Sequence, residues 1–210
     1  MEEVYLSAAY LPNIQYFTKL LAARKVYIEQ HENYVKQSYR TRCDIYSANG
    51  VMQLNIPVER QRGEKIPIKD VRIDYKRNWQ HVHWQSIVSA YRSSPFFEYY
   101  TGDLQPFYKR EETFLFDFNV KLMEKMLELA GIKANISFTG EYIRQPAYPE
   151  FDYRLSISPK PRLQRTDSYF KMVDYYQIFR GKYGFMSNLS ILDLLCNEGN
   201  NTVSILRDSL

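Results

Sequence analysis

The sequence predicts an α/β fold, a single mixed-sheet domain that begins with a βαβ unit and packs its helices on the sheet. Two observations predict it. Near the start, two β-prone runs flank a stretch with helical spacing. Beyond Asn78 the apolar pattern changes from strand-like alternation to a repeat of about 3.6 residues.

Val4–Leu11 is an apolar run fit for a buried strand. Pro12 and Asn13 punctuate it and either can open a helix, whose face is Ile14, Phe17, Leu20 and Leu21. Lys25–Glu29 is the second β-prone run. A right-handed crossover and parallel strands, neighbouring or nearly so, are therefore expected. Asn49-Gly50 marks a hairpin turn between Cys43–Tyr46 and Val51–Val58. Gln61–Lys65 reads as an exposed loop, and Ile68–Ile73 alternates as a strand. Trp84, Ile87, Val88 and Tyr91 define a helix ended by Pro95. Leu115, Phe118, Leu122, Met126 and Leu129 define a longer one, stopped by Gly131. Ile136–Thr139 is a short strand, and short helices are expected at Tyr175–Phe179 and Leu189–Cys196. Together the helices would cover a sheet of about five strands.

By composition, residues 1–143 form the α/β core and residues 169–210 a C-terminal helical segment packed on it. Between them, residues 144–168 hold four of the nine prolines. Such a stretch is expected as a flap near the site or a tail wrapping the domain. No repeat or low-complexity tract is visible.

At 210 residues the chain can bury about 70% of its unfolded surface, so it needs neither disulfides nor a metal to fold. Two cysteines, Cys43 and Cys196, make neither a disulfide framework nor a Cys-only zinc site, which fits a reducing cytoplasm. No run is long enough to span a membrane, and the acidic start Met1-Glu2-Glu3 is not that of a signal peptide. A net charge of +4 is too sparse for a nucleic-acid face and suits one anionic ligand. The outlier is aromatic content, at 16% with 19 tyrosines. Tyrosine suits the rim of a sugar or base pocket, although core packing accounts for most such residues.

Dinucleotide, P-loop and nucleophile-elbow motifs are all absent. His81 and His83 would share a face on a strand, where a third ligand such as His31 could complete a zinc site; on a helix they do not. Spacing puts His83 near a helix start, where a neutral imidazole can act as acid or base or simply cap the helix. The densest constellation is His31, Tyr34, Lys36, Ser38, Arg40 and Arg42. If extended, Tyr34, Lys36, Ser38, Arg40 and Arg42 alternate onto one face, which suits phosphate or carboxylate. A solvated basic edge strand is the bland alternative. The segment leaves the carboxyl end of a strand, where ligands of open α/β sheets bind. Tyr10, Pro12, Asn13 and Tyr16 would face the same edge, at a helix N-terminus able to take an anion.

These residues also carry a resemblance. Tyr10-Leu11-Pro12-Asn13-Ile14-Gln15-Tyr16-Phe17 resembles the Tyr-Leu-Pro-x-x-x-Tyr-Phe opening of WbqC-like proteins. Tyr34 to Arg42 is similar to that family's Tyr-x-Lys-x-Ser-(Trp/Tyr)-x-Asn-Arg segment, with Thr41 in place of Asn. Trp79 through His83 to Phe97 is similar to its Trp-x-x-x-His…Ser/Ala-Pro-Tyr-Phe stretch. A Gln-Pro pair common before the first block is replaced by Ser7-Ala8-Ala9, and an acidic pair common after the second strand reads Gln30-His31. The resemblance implies an association with O-antigen and other surface polysaccharides, through acyl or aminoacyl transfer to an amino-sugar nucleotide. It brings Tyr10, Lys36, Ser38, Arg42 and His83 forward.

Three readings follow. The first is a cytoplasmic sugar-modifying transferase. Its catalytic residues would be His83 and Lys36, its substrate-binding residues Tyr10, Asn13, Tyr34, Ser38 and Arg42, and its partner an anionic small molecule such as a nucleotide sugar. The second is a non-enzymatic binding or scaffold protein of the same pathway, using the aromatic segments Phe96–Tyr100 and Tyr169-Phe170 as an interface, also open to a homo-oligomer. The third is nucleotide transfer without a P-loop, which would want Glu29, Glu32 or Asp44 for Mg²⁺. No metal site, nucleic-acid partner or membrane insertion is expected, and the sequence identifies no cofactor.

Overall fold

The first two strands, β1 (Glu3–Ser7) and β2 (Lys25–Glu29), pair in parallel with Val4 beside Val26 and Leu6 beside Ile28. In this computed structural model, which describes residues 1–59 and 65–210, the crossover is α1 (Ile14–Ala22). The loop expected from Gln61 thus lies outside the described residues up to Lys65. Asn13 caps α1 as expected, its Oδ1 accepting the Tyr16 amide at 3.0 Å. Strand β1 stops earlier than the apolar run, because the chain turns after Ser7 to enter the helix. Leu11 does so at φ 40°, a left-handed conformation strained for a branched side chain.

All but one of the expected strands are present, divided between two sheets. β5 (Ile136–Phe138) joins β2 in parallel, giving the order β1-β2-β5. Strands β3 (Arg42–Ser47) and β4 (Gly50–Asn55) form a separate antiparallel hairpin. Residues 68–73 are not a strand. Ile68, Val71 and Ile73 are buried, but a 3₁₀ turn over Ile68–Asp70 achieves this. Only isolated bridges follow, Arg72 to Phe114 and Ile73 to Val58.

Nor is the 34–42 segment extended. Ser38 Oγ donates to the Val35 carbonyl at 2.6 Å, the Thr41 amide returns to the Ser38 carbonyl, and Gln37 sits at φ 54°. A side chain that bonds its own backbone makes a turn rather than a ladder. The single cationic face is thereby lost: Lys36 is exposed while Ser38 and Arg40 are buried.

Helix α2 (Trp79–Tyr91) begins at Asn78, whose side chain accepts the His81 amide, and buries Trp79, His83, Ile87 and Tyr91. Helix α3 (Phe97–Leu104) was not foreseen. Helix α4 (Leu115–Ala130) ends at Gly131, in the left-handed conformation at φ 68°. Residues 144–168 run as a strap with 3₁₀ turns at Pro149–Phe151 and Pro161–Leu163. The strap lies along the free edge of β1, where the Tyr153 amide donates to the Tyr5 carbonyl at 2.9 Å. Two buried anchors hold it. Lys19 of α1, 0% exposed, pairs with Asp167 at 2.7 Å, and Arg154 pairs with Glu29 at 3.2 Å.

The C-terminal residues form α5 (Arg180–Tyr183), α6 (Ile191–Glu198) and α7 (Thr202–Asp208). The helix expected at Tyr175–Phe179 is displaced to α5. Tyr175 and Gln177 instead donate to Asp193 Oδ2, at 2.6 and 3.0 Å. Asp193 is wholly buried, which pushes its carboxyl up to about 6.

Candidate functional site

The carboxyl ends of β1 and β2 terminate in a buried polar layer. Glu29, the last residue of β2, is 1% exposed and takes donors on both oxygens. Thr139 Oγ1 donates at 2.7 Å, the His31 and Ile143 amides at 2.8 and 3.1 Å, and Arg154 Nη1 at 3.2 Å. Beside it Arg40 grips Glu32 with Nε and Nη2, and its Nη2 also donates to Ser7 Oγ at 2.7 Å. Ser7 Oγ in turn donates to the Arg154 carbonyl at 2.8 Å. Buried charges persist when paired in this way. Both carboxylates are spent on guanidiniums and amides, so neither is left to hold Mg²⁺, which weakens the nucleotide-transfer reading. Among the described residues no His, Cys, Asp and Glu group is placed to hold a metal.

Sequence reasoning missed Glu29 and Glu32 as structural acids and Arg154 altogether. The two acids flank Gln30-His31 at a strand end, a signal that was present. Arg154 lies in a segment with no period, and nothing local announces it.

Outside this layer stands a rim of different character. Arg42 opens β3 half-buried, and its Nε has no hydrogen-bond partner among the described residues. Neither Arg42 nor Lys36 pairs with a carboxylate there. The Lys36 carbonyl accepts Lys160 Nζ of the strap at 2.8 Å, which brings a further cation to the rim. Tyr34 lies beside Arg40 and Arg42; burial raises its phenol. Tyr39 hydrogen-bonds Asn13 and is pushed up to about 12, by burial first and the Asp44 charge second. Both phenols are therefore neutral donors at pH 7.

The helix N-terminus is not the anion site that the sequence pointed to. The Ile14 amide donates to the Leu189 carbonyl at 3.0 Å, Gln15 to Asn188 Oδ1 at 2.9 Å, and Tyr16 to Asn13 Oδ1. The C-terminal segment has filled the first turn. What remains between layer and rim is a crevice of about 20 Å³, lined by Ser7, Ala9, Asn13, Tyr39, Arg40 and Arg154 among others. A larger groove of about 620 Å³ lies between α3 and α4. Two of its three cations, Lys121 and Lys125, are paired with Glu112 and Glu128 at 2.6 and 2.7 Å; the third is Arg110, and the groove holds none of the motif residues.

His83 belongs to a third cluster. Its Nδ1 lies 2.9 Å from Tyr10 Oη, which lies 2.9 Å from Tyr108 Oη. The Trp79 ring meets the imidazole edge-on at 5.0 Å between centroids. Burial depresses His83 to about 4, opposed by a hydrogen bond to the Asn55 backbone. Burial raises both tyrosines. A neutral imidazole that accepts from Tyr10 at Nδ1 and turns Nε2 to the Asn55 backbone satisfies His83 and Tyr10, while the Trp79 indole N–H has no partner among the described residues. At 4% exposure His83 makes no hydrogen bond to Lys36, Ser38 or Arg42. The link to the crevice is the Tyr10 amide, which donates to the Tyr39 carbonyl at 2.8 Å.

The structure therefore brings Asn13, Tyr34 and Arg42 together with Tyr39, while Lys36 stands exposed in the same turn segment. It uses Ser38 to shape the loop and sets Tyr10 and His83 behind it. His81 and His83 lie on a helix, so they share no face, as zinc would have required.

A parallel βαβ opening, with helices packed on its three-stranded sheet, defines an α/β protein. The chain belongs to the WbqC-like protein family, whose sequence model matches residues 8–157. It is also 25% identical to the uncharacterized protein Rv1507c of Mycobacterium tuberculosis, over 94% of each chain. No solved structure matches. Among the described residues no helix is long and apolar enough to cross a membrane.

Proposed function

We propose that this protein is a sugar-modifying enzyme of surface-polysaccharide biosynthesis that transfers an acyl or aminoacyl group to an amino sugar carried on a nucleotide diphosphate. One observation carries the reading: Arg42, with no carboxylate partner among the described residues, stands beside the neutral phenols of Tyr34 and Tyr39 near the carboxyl edge of a parallel sheet. Arg42 supplies a planar fork and Lys36 a point charge for the diphosphate. Tyr34, Tyr39 and Asn13 offer hydrogen bonds to the sugar or base. In the transfer, the sugar amine bonds the acyl carbon as that carbon's bond to its thioester or ester carrier breaks. The amine proton leaves with the departing carrier. His83 serves as a positioning residue: it holds Tyr10 and, through the Tyr10 backbone, the loop that carries Asn13.

Thermal denaturation with nucleotide sugars, amino-sugar nucleotides, ATP and acyl-coenzyme A tests this. A nucleotide sugar at 100 times its Kd should raise Tm by several degrees, since it adds about 2.7 kcal/mol. Arg42→Ala and Lys36→Ala should abolish the shift. No shift with any compound would favour the scaffold reading. That reading has less support, because within Phe96–Tyr100 the rings of Phe97 and Tyr100 are buried and Tyr99 is the strongly exposed one, at 78%.

A further inference from the structure

We propose that the crevice at the carboxyl end of β1 is a subsite for one uncharged acceptor oxygen, a sugar hydroxyl or an N-acyl carbonyl. It rests on the diphosphate reading above and extends it inward from the rim. Arg40 carries the argument. Its side chain is 5% exposed, and its Nε and Nη2 are taken by Glu32, Ser7 and the Arg154 carbonyl. Its Nη1 has no hydrogen-bond partner among the described residues, yet it is not sealed in protein. Arg40 lines the crevice beside Ser7, Asn13, Tyr39 and Arg154, so Nη1 is the donor it has left to offer there.

Charge decides what Nη1 takes. The crevice of about 20 Å³ has room for at least one water-sized group. The connected network already sets the guanidiniums of Arg40 and Arg154 against the carboxylates of Glu29, Glu32 and Asp152. A further anion would enter a neighbourhood already richer in negative charge, and its desolvation would go unrewarded. An uncharged oxygen accepts from Nη1 without that penalty. The rim has the opposite balance: Arg42 and Lys36 stand there with no carboxylate paired to either among the described residues, and Asp44 is the acid nearest Tyr39. Tyr39 joins the two regions, since it lines the crevice and feels the Arg42 charge. A ligand with an anionic middle and a neutral, oxygen-bearing end matches that order.

Titration calorimetry with UDP, UDP-glucose and UDP-N-acetylglucosamine separates the two regions. UDP reports the rim alone, and the ratio of each sugar nucleotide to UDP reports the crevice. One hydrogen bond from a charged donor should make the matching sugar nucleotide bind about tenfold tighter than UDP or better. A preference for UDP-N-acetylglucosamine over UDP-glucose would identify the oxygen as the acyl carbonyl; equal gains would identify a hydroxyl. Ala9→Val adds bulk to the crevice lining, and Arg40→Lys keeps the charge facing Glu32 while deleting Nη1. Either variant should return the ratio to one and leave UDP affinity unchanged. A wild-type ratio of one, or a ratio that survives both substitutions, would overturn the subsite and leave the rim standing, the crevice then holding water alone. If UDP itself does not bind, the diphosphate reading falls and the subsite with it.

Discussion

At the residue scale, His83 and Asp193 are buried groups whose protonation works in opposite directions. The His83 imidazole sits near 4 in the folded chain against an ordinary 6.5. Between those values the unfolded chain binds a proton that the folded one refuses, so stability falls as the pH drops from about 6.5 to about 4. The full effect is about 3 kcal/mol. Asp193 sits near 6 against 3.8, so the folded chain holds the proton over that range. Its contribution is largest below about 3.8 and is lost as the pH rises through about 6. The two largely cancel, and single substitutions should uncouple them. His83→Gln should make the change in unfolding free energy from pH 7 to pH 4.5 more favourable than in the parent by a few kcal/mol. Asp193→Asn should make it less favourable by a similar amount. Urea titrations at both pH values check this, and unchanged pH dependence in both variants would show that neither group is desolvated as described.

At the element scale, the strap is the part least legible in the sequence. The βαβ opening could be read because the spacing of Ile14, Phe17 and Leu20 is local, and so is the capping of α1 by Asn13. The hairpin and the end of α4 at Gly131 were legible for the same reason. The 34–42 segment misled because its alternation is genuine but overruled. Ser38 bonds its own turn, and Arg40 buries itself against an acid eight positions earlier. Arg154 finds its partner Glu29 at a separation of 125 residues, which no local pattern encodes. Only part of the candidate site was readable for the same reason: Arg42 and Lys36 lie in a dense motif, while the crevice is made by contacts distant in sequence. If the strap is held by buried ion pairs, removing one partner should cost about 3–5 kcal/mol, since it leaves a buried charge uncompensated. Asp167→Ala is the test, and it should also bring on protease cleavage within residues 144–168 before global unfolding. Lys19→Met combined with Asp167→Leu should recover most of the loss. A second element-scale prediction concerns Gly199, which ends α6 at φ 53°. A Cβ there would lie 2.5 Å from the Phe96 ring. Gly199→Ala should therefore destabilise the chain by about 1–3 kcal/mol, through strain and overpacking, in a denaturant melt.

At the scale of the whole molecule, the residues beyond the family match are built into the core. Helices α6 and α7 pack on α1, and Cys196, Leu194 and Leu206 are buried with Phe17 and Leu20 in one cluster. Residues 1–168 on their own would lose that layer and the groups that complete the first turn of α1. They should fail to give a cooperative thermal transition by circular dichroism, whereas 1–210 should melt in one step. A folded 1–168 fragment would mean that the C-terminal residues merely decorate a self-sufficient core.

The capping of α1 by Asn188 and Leu189 also sets a clock on biosynthesis. The Gln15 amide waits for a partner 173 positions downstream. At ribosomal rates of about 5–20 residues per second that is roughly 10 to 35 s after Gln15 is made. Throughout that interval the nascent βαβ unit lacks its final seal, and the apolar faces of β1 and α1 are open to any passing chain. This protein should therefore depend on holding chaperones during synthesis more than its modest size would indicate, until Asn188 and Leu189 emerge.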